Sequence, residues 1–176
     1  MMINRDRFKK SESFKNVEKD LAYIVSKIRE DEELLKLLSL KETNQNKLTE
    51  EDKKEILNKC VEIVPIVDLN ERDTNWSHLT IYFGDFTPNA ENPKYRDKFL
   101  YFNIICNNDT WNMGDFKLRP YQIAGRLDVL FDKKTLADSY TIRFLNGDSL
   151  IINDKIGGVS LIYDVTYGVD RDGNDD

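Results

Sequence analysis

Histidine is the side chain best suited to general acid–base work near neutral pH, and this chain has one, His78. Nucleophilic catalysis needs a base within hydrogen-bond reach of a nucleophile. Nothing beside His78 marks it for that task, so it reads as a satisfied or exposed strand histidine. Cys60 and Cys106 are the only cysteines, both inside apolar, strand-like runs, where a thiol behaves as a small hydrophobe. These three side chains cannot fill a tetrahedral zinc site without carboxylates, which excludes structural zinc. No metal and no cofactor is expected.

Carboxylates offer the next chemistry. Asp170-Arg171-Asp172-Gly173-Asn174-Asp175-Asp176 superficially resembles a calcium loop, yet it lacks the spacing to a bidentate Glu and the flanking helices. It reads as a solvated tail. Gly157-Gly158 has no Lys-Ser/Thr behind it and no following helix, so it reads as a turn and not as a phosphate cradle. Asp68, Asp85 and Asp128 could serve a divalent-metal nuclease, but no acid–Lys pattern at a strand end singles one out. The chain is not expected to be an enzyme.

What remains is recognition. Trp76 and Trp111 flank the central strands, and Tyr95, Arg96, Trp111 and Arg119 lie in polar, loop-like stretches. Aromatics and Arg are enriched at binding hot spots, so these four are the candidate interface between subunits.

The elements that must position them fit one domain of 176 residues, 40% hydrophobic and 33% charged, a balance that suits a globular core and not a disordered chain. A net charge of −6 gives no general attraction to nucleic acid. No apolar run approaches a membrane span, and the charged start, Met1-Met2-Ile3-Asn4-Arg5-Asp6-Arg7, is unlike a signal peptide. An intracellular protein with reduced cysteines is expected.

Phe14, Val17, Leu21, Ile24 and Ile28 form one helical stripe, continued by Leu35 and Leu38 with Asp31 as its single break. Residues 41–47 read as a loop, and Thr49 with Asp52 as a capping box opening a helix to about Asn58. Residues 60–67 are β-branched with Pro65 inside, hence an edge or broken strand. Leu79, Ile81 and Phe83, then Leu100, Phe102, Ile104 and Cys106, alternate as a long antiparallel hairpin with a polar tip at 87–97. Pro120 opens a helix carrying Ile123, Leu127, Leu130 and Phe131. Three strands close the chain at 140–145, 150–152 and 159–169, with Asn146-Gly147 as a tight turn between the first two.

The order α, α, β, β, β, α, β, β, β predicts an α+β fold: an antiparallel or mixed β-sheet with helices packed on one face. Its parts are an N-terminal helical region (1–58), the sheet core (59–169) and a flexible acidic tail (170–176).

In this order of elements, Thr87-Pro88-Asn89, Asn92-Pro93-Lys94-Tyr95-Arg96-Asp97, Asn108-Asp109-Thr110-Trp111, Leu118-Arg119-Pro120-Tyr121-Gln122-Ile123 and Leu127-Asp128-Val129-Leu130-Phe131 form a pattern. It resembles the tail terminator and head–tail joining (neck) proteins of long-tailed bacteriophages. The resemblance covers about residues 60–169. It implies a non-enzymatic, usually hexameric ring in the virion, made in the host cytoplasm and meeting tail tube and neck proteins. DNA would pass through without specific binding, and carboxylates lining the bore would repel its phosphates. The charged region 1–58 departs from smaller members and suggests an added helical arm. The alternatives are a small phage protein that docks a host target through that arm, and the metal nuclease.

Overall fold

The computed structural model describes residues 12–40, 47–65, 76–90, 95–136 and 140–167, the side chains of residues 12–15 and 167 excepted. The loop at 41–46, the far end of the 60–67 run, Asp68, Asn92-Pro93-Lys94, the strand end at 168–169 and the acidic tail 170–176 lie outside the described residues.

Helix α1 spans Glu12–Glu30 and buries Ile24 and Ile28 completely. The apolar stripe continues past residue 30, but the helix does not. Asp31 leaves helical geometry (φ −91°, ψ 95°), and its carboxylate accepts the Leu34 amide at 2.8 Å, capping a second helix, α2, Glu32–Leu38. A short acid that satisfies an orphan amide makes a better helix start than a mid-helix residue. Helix α3, Glu50–Cys60, opens on the expected capping box, with the Asp52 amide 3.1 Å from the Thr49 hydroxyl and the Thr49 amide 3.0 Å from the Asp52 carboxylate. It runs two residues past the expected end.

Cys60 belongs to α3, and within the described part of the expected 60–67 strand only β1, Val61–Glu62, is a strand. The other strands are β2 (His78–Pro88), β3 (Arg96–Asn107), β4 (Tyr140–Ile151) and β5 (Ile156–Tyr167), and α4 (Arg119–Phe131) falls between β3 and β4. Sheet order is β1-β2-β3-β5-β4, with β1 parallel to β2 and the remaining pairs antiparallel. This is the expected α+β class with a mixed sheet.

The β2–β3 hairpin is longer and its loop shorter than expected. Beyond a bulge at Gly84/Thr87, where Asp85 takes φ 51°, Thr87 and Pro88 still pair with Asp97 and Arg96.

The end of the chain departs further. The three expected closing strands are two, and Asn146-Gly147 is no turn. Strand β4 runs through it, with Gly147 opposite Leu161 and a bulge between Phe144 and Asn146. The local preference of Asn-Gly for a hairpin is overridden by a ladder of eleven pairs with β5. The Asn146 side chain instead accepts its neighbour Gly147's amide at 2.8 Å, and Asp148 does the same for Ser149 at 2.7 Å. The reversal comes later, where Asn153 Oδ1 accepts the Lys155 and Ile156 amides at 2.9 Å each. Gly157-Gly158, expected in a turn, lies inside β5.

One continuous cluster of buried side chains joins the helices to the sheet, from Ile24 and Leu35 through Ile56, Leu79 and Phe102 to Phe131 and Val165. Phe102 stacks on Phe131 of α4 at 5.2 Å and meets Tyr163 edge-on at 5.8 Å. Within this core lies an ion pair: the Lys98 ammonium reaches the Asp20 carboxylate of α1 at 2.5 Å, both essentially inaccessible to water. Helices α1, α2 and α3 therefore contribute to the fold's core and do not form a projecting arm.

Candidate assembly surface

The four candidate interface residues do not form one patch. Tyr95 and Arg96 lie at the hairpin-loop end of β3, whereas Trp111 and Arg119 lie beyond its other end. A twelve-residue strand places those ends about 36 Å apart.

At the loop end, Asn89 is buried and its side-chain amide donates to both Asp97 oxygens, at 2.9 and 3.1 Å. The Asn89 backbone amide donates to the Tyr95 carbonyl at 3.1 Å. Tyr95 is half-buried against the core, and Arg96 is half-buried opposite Pro88.

The other end is built differently. After β3 the chain makes a single 3-10 turn, Asn108–Thr110, whose first free amide, at Asp109, donates to Asn107 Oδ1 at 3.0 Å. Trp111 follows, half-buried on the core, with its indole N–H buried and paired with no acceptor among the described residues. A Cβ added to Gly157 would sit 3.4 Å from the Trp111 ring and 3.0 Å from the Leu150 carbonyl oxygen, so the indole lies across a strand that must be bare there.

Residues 112–118 then form a miniature hairpin. Asn112 bridges Leu118, the Met113 amide donates to the Lys117 carbonyl and the Lys117 amide to the Gly114 carbonyl, both at 2.9 Å. Three consecutive residues take left-handed backbone angles: Gly114 (φ 84°), Asp115 (φ 50°) and Phe116 (φ 59°). Glycine does so without cost, but a bulky residue there carries strain on the order of 1–3 kcal/mol. Phe116 gains no packing in return, being 105% exposed.

Arg119 is a strut more than a surface contact. Its Nε donates to the Thr110 carbonyl and its Nη1 to the Leu37 carbonyl, both at 3.0 Å. The charge so placed neutralises the negative C-terminal end of α2. Burial holds this guanidinium below its ordinary pKa, partly offset by the Cys106 thiol.

Between Trp111, Tyr121 of α4 and the β4–β5 turn lies a half-open cleft of about 400 Å³, lined also by Leu150, Ile151, Ile156 and Gly157. Of its lining, Ile151 is 86% exposed and Tyr121 is exposed, while Ile152 follows Ile151 in sequence and the exposed Phe116 and Leu118 belong to the miniature hairpin after Trp111. Neither Phe116 nor Ile151 follows from periodicity. The one sequence signal was a large aromatic set directly after Gly114-Asp115, a dipeptide of turn-forming residues where bulk has no structural reason.

The remaining candidates are dispersed. His78 is buried at the start of β2. Asp85 sits in the β2 bulge and accepts from the Tyr101 hydroxyl, a bond that pushes the phenol up to about 12. Asp128 is on α4 and accepts from Tyr163 at 3.1 Å. Trp76 is half-buried, with the Lys59 ammonium 4.8 Å from its ring centroid. Both cysteines are buried free thiols, raised by burial to about 12 at Cys60 and about 11 at Cys106. Among the described residues no cluster of three His, Cys, Asp or Glu could hold a metal, and no helix is long and apolar enough to cross a membrane.

Fold and surface define the class: an α+β protein on a mixed five-stranded sheet, with an exposed apolar corner where β3, α4 and the β4–β5 turn meet. The YomW family model matches residues 31–165, well over half of the sequence, and the chain belongs to that family. The family is named like a gene product of the Bacillus phage SPBc2, which suggests a phage-derived protein. No curated protein matches the chain. The match starts at Asp31, the cap of α2, and so leaves out α1, although α1 supplies one half of the buried ion pair.

Proposed function

We propose that this protein is a virion structural protein of a tailed phage, without catalytic activity, that forms a ring at the head–tail junction as a tail terminator or neck protein. The family gives the phage connection. The observation that carries the structural role is a pair of exposed apolar features: a strained, fully exposed Phe116 and a cleft lined by Trp111, Ile151 and Tyr121. Large exposed apolar groups held in fixed geometry mark surfaces that dock. In this reading the partners are further copies of the chain, about six to a ring, together with tail tube and neck proteins. The net charge of −6 suits a bore that does not grip passing DNA.

Docking of a host target through a projecting helical arm has less support, since α1 is joined to the sheet by Lys98 and Asp20. The nuclease reading has less still, with Asp85 and Asp128 on different elements engaging different tyrosines.

Light scattering after size exclusion, across a concentration range and with negative-stain images of any large peak, tests the proposal. A ring with a central hole supports it, and a monomer at every concentration overturns it. A bore lined by Lys and Arg in the assembled ring would contradict the DNA-passage element alone.

A further inference from the structure

Resting on the reading that copies of this chain assemble with one another, we propose the contact itself: Phe116 of one copy inserts into the Trp111 cleft of another. The miniature hairpin is hydrogen-bonded at both ends, so the chain holds its aromatic tip in an unfavourable backbone region and leaves the ring wholly in water. Strain of that kind persists where the surroundings impose it and gathers at sites that act on something else. Full exposure also means that Phe116 does not fill the cleft of its own copy.

The cleft suits the ring in size and chemistry. An apolar cavity of about 150 Å³ holds a benzene molecule, and this one, near 400 Å³ and lined by Leu150, Ile151 and Ile156, admits a phenyl side chain with part of its turn. The buried Trp111 indole N–H lacks an acceptor among the described residues, and leaving such a donor unpaired costs roughly 1–3 kcal/mol. The turn itself carries acceptors, since the Asp115 and Phe116 carbonyls accept no backbone hydrogen bond among the described residues. Charges match as well. Exposed Asp115 and Lys117 flank the ring, and exposed Asp154 and Lys155 belong to the turn beside the cleft, so one orientation sets opposite signs together on both sides. Knob and socket on the same chain make a second copy the occupant.

Two variants test this. Phe116→Ala removes the knob and keeps the cleft; Ile151→Lys, at a position 86% exposed, spoils the cleft mouth and keeps the knob. Circular dichroism and melting establish that both fold. Each alone is expected to self-associate roughly tenfold or more weakly than the parent. Mixed one to one, they form a heterodimer through the single intact contact and nothing larger.

Light scattering separates the failures. A Phe116→Ala protein that assembles like the parent overturns the contact and leaves the ring reading standing. A parent that stops at dimers, lost in Phe116→Ala, supports the contact and overturns the ring. A parent monomeric at all concentrations overturns both, as does a monomer that binds a different protein through Phe116 with respect to the second copy as occupant. A mixture with no heterodimer overturns the contact.

Discussion

The two ends of strand β3 handle exceptions to the apolar core in opposite ways. Near Arg96 polar groups are buried and paired inside the molecule: Asn89 holds Asp97, and Lys98 meets Asp20 with Phe83 and Tyr140 rings 4.3 and 4.6 Å from its ammonium. Near Asn107 the pairing is left undone: the Trp111 N–H is buried without an acceptor, and Phe116 is exposed without a pocket. Buried polar groups are tolerable when satisfied and costly when not. The difference therefore separates an end the chain closes for itself from the end where we propose that a second copy docks.

That contrast can be broken most forcefully at the closed end. Asp20→Ala strands the Lys98 charge in the core and should cost about 3–5 kcal/mol, read as a fall in the urea midpoint. Replacing both partners, Asp20→Leu with Lys98→Met, should recover most of it, because a buried pair often contributes little over well-packed apolar groups. A single variant that loses less than about 1 kcal/mol, within the range of exposed pairs, would remove the distinction between the ends.

Alkali should act on both ends in sequence. Cys106, beside the open end, has its pKa raised by burial to about 11, and Tyr140, beside the closed end, to about 12. A raised folded-state pKa stabilises below the unfolded value and is lost as pH climbs through the folded one. Stability should therefore decline from about pH 9, with Cys106 contributing on the order of 2 kcal/mol by about pH 11 alongside the equally buried Cys60, and Tyr140 adding to the loss between about 10 and 12. Urea titrations of the parent and Cys106→Ala should show the variant losing less between about pH 9 and 11.

Two smaller effects sharpen the comparison at the open end. Gly157→Ala drives a methyl against the Leu150 carbonyl and the Trp111 ring and should cost roughly 1–3 kcal/mol, with a shift in tryptophan fluorescence. Phe116→Gly should do the reverse, stabilising the free chain by about 1 kcal/mol through relief of the left-handed strain while weakening assembly. A rise in melting temperature together with a loss of large species would show stability given up for docking.

Sequence made the closed parts of the molecule plainer than the open one. Thr49 and Asp52 act within one helical turn, and the β2–β3 alternation repeats at every second residue, so local chemistry and global fold agree there. Asn146-Gly147 and Gly157-Gly158 were harder because their outcome depends on distant partners, Leu161 on β5 and the Trp111 ring, whereas Asp31 acts through a local cap that the continuing apolar stripe masked. Arg119 has the composition of an interface residue and the geometry of a brace, a distinction that only the Leu37 and Thr110 carbonyls reveal. Trp111 alone of the four candidates both lines the cleft and was expected at an interface. Phe116 belongs to no period, and its one signal was an aromatic set directly after the turn-forming Gly114-Asp115.

The side chains that cover the amides of β4 bear on how such copies can meet. Asn146 and Asp148 each occupy the next residue's N–H, a bulge kinks the strand just before them, and Asp148 adds a charge. A sheet margin silenced this way is a poor template for a foreign strand. Contacts between copies must then be made by side chains in sockets, which limits how many neighbours each copy can take. A single knob and a single socket give each copy two neighbours, so the rotation between copies decides whether the chain of contacts closes into a ring, and addition of strands at β4 is not the route by which it grows.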